Sequence, residues 1–89
     1  VDTAPPYPVD TEENTNTNFP RKKPYDAIYV NSALEALEAP VVIGDNMLNH
    51  GLVFDSRNFS PLSAVTPVRK GDSNGPSMQH MAVIRDFDF

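Results

Sequence analysis

Ser32-Ala33-Leu34-Glu35-Ala36-Leu37-Glu38-Ala39 runs through Pro40-Val41-Val42-Ile43-Gly44 and, after a polar turn, reaches Gly51-Leu52-Val53-Phe54-Asp55. Its first part carries the one strong helix signal in the chain. Ser32 and Glu35 have the spacing of a capping box, in which each side chain satisfies the other residue's free amide. Leu34 and Leu37 share a face at i, i+3, while Glu35 and Glu38 point to water. The residue before a proline avoids the α region, so Pro40 stops the helix. The pattern predicts a helix over 32–39. About two turns do not persist alone, so Leu34 and Leu37 need something to bury against.

Val41-Val42-Ile43 is β-branched throughout and reads as a strand covered on both sides. Leu52-Val53-Phe54 reads as a second strand, paired with the first in a loose hairpin. Turn chemistry at Gly44-Asp45-Asn46 and Asn49-His50-Gly51 punctuates the connection, with Met47-Leu48 as an apolar plug or a short helical turn between them. Upstream, residues 25–30 alternate, with Tyr25, Ala27 and Tyr29 on one side and Asp26, Ile28 and Val30 on the other. That is a short strand begun by Pro24.

On either side the text loosens. Residues 1–24 hold Pro5, Pro6, Pro8, Pro20 and Pro24 and the run Asn14-Thr15-Asn16-Thr17-Asn18, which reads as an extended, solvated arm. Ser60-Pro61 and Thr66-Pro67 bracket an extended piece over 62–65, and Lys70-Gly71-Asp72-Ser73-Asn74-Gly75-Pro76 is a loop. Residues 78–89 form the best strand candidate. Met81, Val83, Phe87 and Phe89 share one face with Arg85, which is expected at the rim or against an acid. Ala82, Ile84, Asp86 and Asp88 share the other face. The chain thus divides into an arm (1–24), a strand-helix-strand centre (25–59), a Pro/Gly-rich extended linker (60–77) and a C-terminal strand (78–89). The expected class is mostly irregular and extended, with short β-strands, one short helix and little independent core.

Composition agrees with this type. At 89 residues the chain is one domain at most, and a domain of this size is marginal without a staple or a partner. Cysteine is absent, which removes disulfides and thiolate ligands. Leu, Ile, Val and Phe make up about a quarter of the residues, only slightly above the level near 20% where disorder becomes the default. The net charge of −5 disfavours nucleic acid as a partner, and Arg21-Lys22-Lys23 reads as a solvated charge run. No apolar run approaches the roughly 20 residues of a membrane span.

Chemical signatures fail one by one. Counting from Asp45, a calcium loop needs Gly at 50 and Glu at 56, where His50 and Ser56 stand. Ser77 lacks the second glycine of a nucleophile elbow, because Gln79 occupies its place. Asp86 and Asp88 sit together at a strand end that offers no pocket. No cofactor or metal is implied, and an enzyme is the most remote reading. What carries signal is the apolar set Tyr25, Tyr29, Leu34, Leu37, Phe54, Phe59, Met81, Val83, Phe87 and Phe89, read as anchors for a partner. The expectation is a non-enzymatic accessory chain that lies along or between larger subunits and fastens an assembly, such as a minor virus-shell protein or a subunit of a large complex. On this reading 78–89 joins a partner's exposed sheet edge. The alternative is an autonomous small α+β binding module, in which the strands form one sheet within the chain.

Overall fold

The computed structural model describes residues 7–75 and 77–89. Its elements are one helical turn, α1 (Ser32–Glu35), and six short strands: β1 (Glu38–Ala39), β2 (Val41–Ile43), β3 (Asn46–Leu48), β4 (Leu52–Phe54), β5 (Ala82–Ile84) and β6 (Asp86–Phe87). The strands form three antiparallel pairs, β1 with β6, β2 with β3 and β4 with β5. Two 3₁₀ turns, Leu62–Val65 and Asp72–Asn74, interrupt the long return from β4 to β5. The Cα radius of gyration is 13.1 Å, close to the value near 12–13 Å for a compact chain of this length.

β4 lies at the centre. On one side it pairs with β5, Leu52 opposite Ile84 and Phe54 opposite Ala82. On the other side Val9 makes a parallel bridge to Leu52, donating to the Gly51 carbonyl at 3.3 Å and accepting from Val53 N–H at 2.9 Å. Around β4 the apolar core collects Val41, Leu52 and Phe59, with Ile43, Leu48, Phe54, Val65 and Ile84 packed against them. Gly51 is indispensable here. Its φ is +104°, and a Cβ would stand 2.5 Å from the Ile84 carbonyl oxygen and 3.0 Å from the Pro8 ring.

Several local expectations are corrected. The helix covers only 32–35, and its cap is Asn31, whose Oδ1 accepts from Leu34 N–H at 2.8 Å, not Ser32. Glu38 and Ala39 leave the helix to pair with Phe87 and Asp86, because a ladder fixed by tertiary contacts outweighs a marginal two-turn helix. Val41–Ile43 pairs with Asn46–Leu48 rather than with Leu52–Phe54, across a two-residue turn, Gly44-Asp45. Gly44 has φ +59° at the first turn position, the glycine signature of a tight type II′ hairpin. The expected strand over 25–30 is reduced to a single bridge position at Val30, and residues 25–29 belong to no ladder among the described residues. Residues 78–89 are broken into β5 and β6, and both pair within the chain.

The Asn/Thr run is not solvated throughout. Thr17 and Asn18 are buried, and residues 7–23 fold into a small lobe against the body. Asp10 Oδ1 accepts from the amides of Glu12 and Asn14, and Asn18 Oδ1 accepts from those of Lys22 and Lys23. Side-chain acceptors thereby replace the backbone ladders that this composition cannot form.

Candidate interaction surface

The anchor set divides by position. Phe59 and Met81 lie in the interior, and the Phe54 ring packs tilted against Phe59 with ring centroids 5.4 Å apart. Leu34, Val83 and Phe87 are half-buried. Tyr25 and Tyr29, each 64% exposed, flank a groove of about 510 Å³ whose walls include Tyr7, Pro8, Val53 and Val83. Leu37 is exposed, and Phe89 is almost wholly so, at 94%. The structure thus brings Tyr25, Tyr29 and Val83 together, and it places Leu37 and Phe89 separately by the β1–β6 ribbon. Asp88 N–H donates to the Leu37 carbonyl at 2.8 Å, which holds the end of that ribbon.

Four exposed large apolar residues lie outside the anchor set, Tyr7, Val42, Met47 and Met78. Val42 and Met47 face each other across the β2–β3 hairpin and both point outward. Strict alternation explains this: Val41, Ile43 and Leu48 take the inner face, so Val42 and Met47 must take the outer one. A β-branched triplet read as buried on both sides hides that asymmetry.

Charged residues join these surfaces to the fold. Arg85 Nε donates to Glu38 Oε2 at 2.6 Å, and its Nη1 reaches the Ile28 carbonyl at 3.3 Å. Its guanidinium lies 5.9 Å from the Phe87 ring centroid. Burial pushes the Glu38 carboxyl up, but hydrogen bonds from Arg85 and His50 and their charges outweigh it and hold the group below the usual carboxylate range. Arg85 is therefore paired with an acid, as its place in the strand pattern suggests.

The largest polar network was invisible in the sequence. Arg21 Nη1 bridges Asp10 Oδ2 at 2.9 Å and Asp55 Oδ2 at 3.0 Å, and both carboxylates are almost fully buried. Arg21 Nε and Nη2 donate to the carbonyls of Asn16 and Asn14. Arg57 forks onto Asp55 and covers the Phe19 ring at 4.5 Å. At Asp55 burial again acts upward. Hydrogen bonds from the Arg57 side chain and backbone and from Arg21, with the Arg57 charge, hold its carboxyl below the usual range. Residues so far apart in sequence leave no local signature. Asn58 gives both amide hydrogens to carboxylates of the lobe, Asp10 and Glu12, so the Asn58-Phe59-Ser60 triplet is committed to structure.

Among the described residues two imidazoles stand beside carboxylates, His50 with Glu38 at 3.2 Å and His80 with Asp26. His80 Nδ1 lies 2.7 Å from Asp26 Oδ2, with both side chains in solvent contact. Among the described residues no hydrogen bond links the His80 ring or the Asp26 carboxylate to a hydroxyl, and no cluster of three or more His, Asp or Glu could hold a metal ion. No helix is long and apolar enough to cross a membrane among the described residues. No protein-family model matches the chain, and no curated protein or solved structure shows significant similarity to it.

Proposed function

We propose that the chain is a non-enzymatic accessory protein that fastens larger subunits of an assembly, such as a minor component of a virus shell or of a large complex. One observation carries this reading: large apolar side chains stand exposed on several separate elements. Tyr25 and Tyr29 flank the groove, Val42 and Met47 cover the outside of the β2–β3 hairpin, and Leu37 and Phe89 mark the β1–β6 ribbon. A small chain leaving this much apolar surface in several directions is suited to contact more than one neighbour. The net charge of −5 favours basic or neutral surfaces on those neighbours.

A second reading, an autonomous small α+β binding module, draws on the compact radius of gyration and on the pairing of β4 with β5 inside the chain. The two readings separate on the native state in the source. Gentle extraction followed by mass determination is expected to find the chain inside a large assembly. Alanine at Tyr25, Tyr29 and Phe89 is expected to reduce its incorporation. Recovery only as a free small protein, or incorporation indifferent to those substitutions, would remove the fastening role and leave the binding module.

A further inference from the structure

We infer that two copies of this chain can exchange the lobe of residues 7–23, with residues 24–29 as the hinge, to form an intertwined dimer. The inference does not rest on the fastening role, but the two share Tyr25 and Tyr29, which the dimer covers and the fastening role leaves for a neighbour.

The lobe is a closed unit. Its own bonds run from Asp10 to Glu12 and Asn14, from Arg21 to Asn14 and Asn16, and from Asn18 to Lys22 and Lys23. Both partners of each of these bonds lie within the lobe. The lobe then docks through a second set: Val9 along the free edge of β4, Phe19 N–H to the Gln79 carbonyl at 2.8 Å, Met81 N–H to the Thr17 carbonyl at 2.7 Å, and Arg21 on Asp55. Every bond of this second set can form equally well with the body of another copy. That equivalence is the condition for exchange.

The hinge supplies the preference for a second copy. Residues 25–29 carry strand-forming side chains, and exposure alternates along them, with Tyr25, Ala27 and Tyr29 outward and Asp26 and Ile28 turned in. Yet in the single chain they join no ladder among the described residues. Four contacts hold them among the described residues: Asp26 N–H to Thr17 Oγ1, Asp26 with His80, the Tyr25 ring tilted against the His80 ring at 6.2 Å, and the Ile28 carbonyl with Arg85. When two lobes exchange, the two hinges cross antiparallel at the two-fold axis. They can then pair with each other, satisfying backbone groups and covering Tyr25 and Tyr29 with the same residues of the other copy. Residues 25–29, which have strand chemistry but join no ladder among the described residues, thus gain a partner in the dimer.

The test uses the absence of cysteine in the chain. Thr11 Oγ1 donates to the Asn58 carbonyl at 3.1 Å, so these residues meet across the lobe–body contact. Chains carrying Thr11→Cys and Asn58→Cys separately are mixed, unfolded and refolded together at high concentration, oxidised, and sized by light scattering. The expected result is a dimer fraction holding a disulfide between the two different chains. The double variant Thr11→Cys/Asn58→Cys, oxidised within one dilute chain, should remain monomeric at any later concentration. Tyr25→Asp/Tyr29→Asp should fold as a monomer and lose the dimer. Should a cysteine variant fail to fold, isotope-filtered contacts between Val9 of an unlabelled copy and Val53 of a labelled one read the same exchange in the unsubstituted chain. A chain that stays monomeric into the millimolar range, or a dimer lacking both the mixed disulfide and the filtered contact, would overturn the proposal.

Discussion

The body around Leu52 and the lobe of residues 7–23 are neighbours held by opposite means. In the body, Leu52, Val41 and Phe59 are excluded from water by strand pairs that alternate inward and outward side chains. In the lobe the most deeply buried side chains are polar, Asp10 and Thr17, and the centre is a guanidinium shared between two carboxylates. Burial of apolar area tolerates small errors of geometry. A buried ion network does not, because each unpaired member keeps its full desolvation cost. The body should therefore lose stability in proportion to the apolar volume removed, and the lobe should fail by release.

The largest effect is expected in the body. Phe59→Ala removes a ring from the core beside Phe54 and should cost about 3–5 kcal/mol in urea unfolding, enough to unfold a marginal chain. A loss below about 1 kcal/mol would mean that the apolar cluster does not hold the body together.

Arg21→Ala comes next, at about 3 kcal/mol, because Asp10 and Asp55 lose their shared partner. The loss is limited by opening of the lobe, which returns Asp10 to water and leaves Asp55 with Arg57. Proteolysis of this variant should start within residues 7–23. Cleavage spread evenly over the chain would make lobe and body one unit.

Acid gives a third, smaller contrast. Asp55 and Glu38 have folded-state pKa values below their ordinary ones, so their contributions are complete above the ordinary carboxylate range. Those contributions disappear as pH falls through the depressed values. Stability measured by urea unfolding should change little from these groups between neutral pH and about pH 5, then drop below about pH 4. Asp55→Asn should flatten that drop. An equal drop in the variant would assign acid sensitivity elsewhere.

The smallest effect concerns the helical turn. Asn31→Ala should cost about 1 kcal/mol through the lost cap, while Ser32→Ala should be nearly silent. The reverse order would restore Ser32 as the cap.

What could be read from sequence follows the same division. β-branched and aromatic runs located β2, β4 and β5, because strand chemistry and period 2 are local properties. Pairing was not local. Asn46-Met47-Leu48 has little strand character by itself and becomes β3 only because Gly44-Asp45 folds it back on Val41–Ile43. Alternation over 25–30 put Tyr25, Ala27 and Tyr29 on one side without saying which side meets water, and the interior places of Phe59 and Met81 depended on how the long return from β4 was packed. Asp10, Arg21, Asp55 and Asn58 meet only after the chain has folded. No spacing rule connects them, so a lobe built on polar bonds read as a solvated arm.

Residue-resolved amide exchange on the unsubstituted chain and on Arg21→Ala, at neutral pH, tests the division most directly. In the unsubstituted chain, the amides of Asn14 and Lys22 in the lobe and of Ser56 in the body, which donates to Ser73 Oγ, should all be protected. In Arg21→Ala, Asn14 and Lys22 should exchange freely while Ser56, whose partner lies in the body, keeps most of its protection. Loss of protection to the same extent at all three positions would contradict it, as would a lobe whose amides exchange freely before any substitution is made.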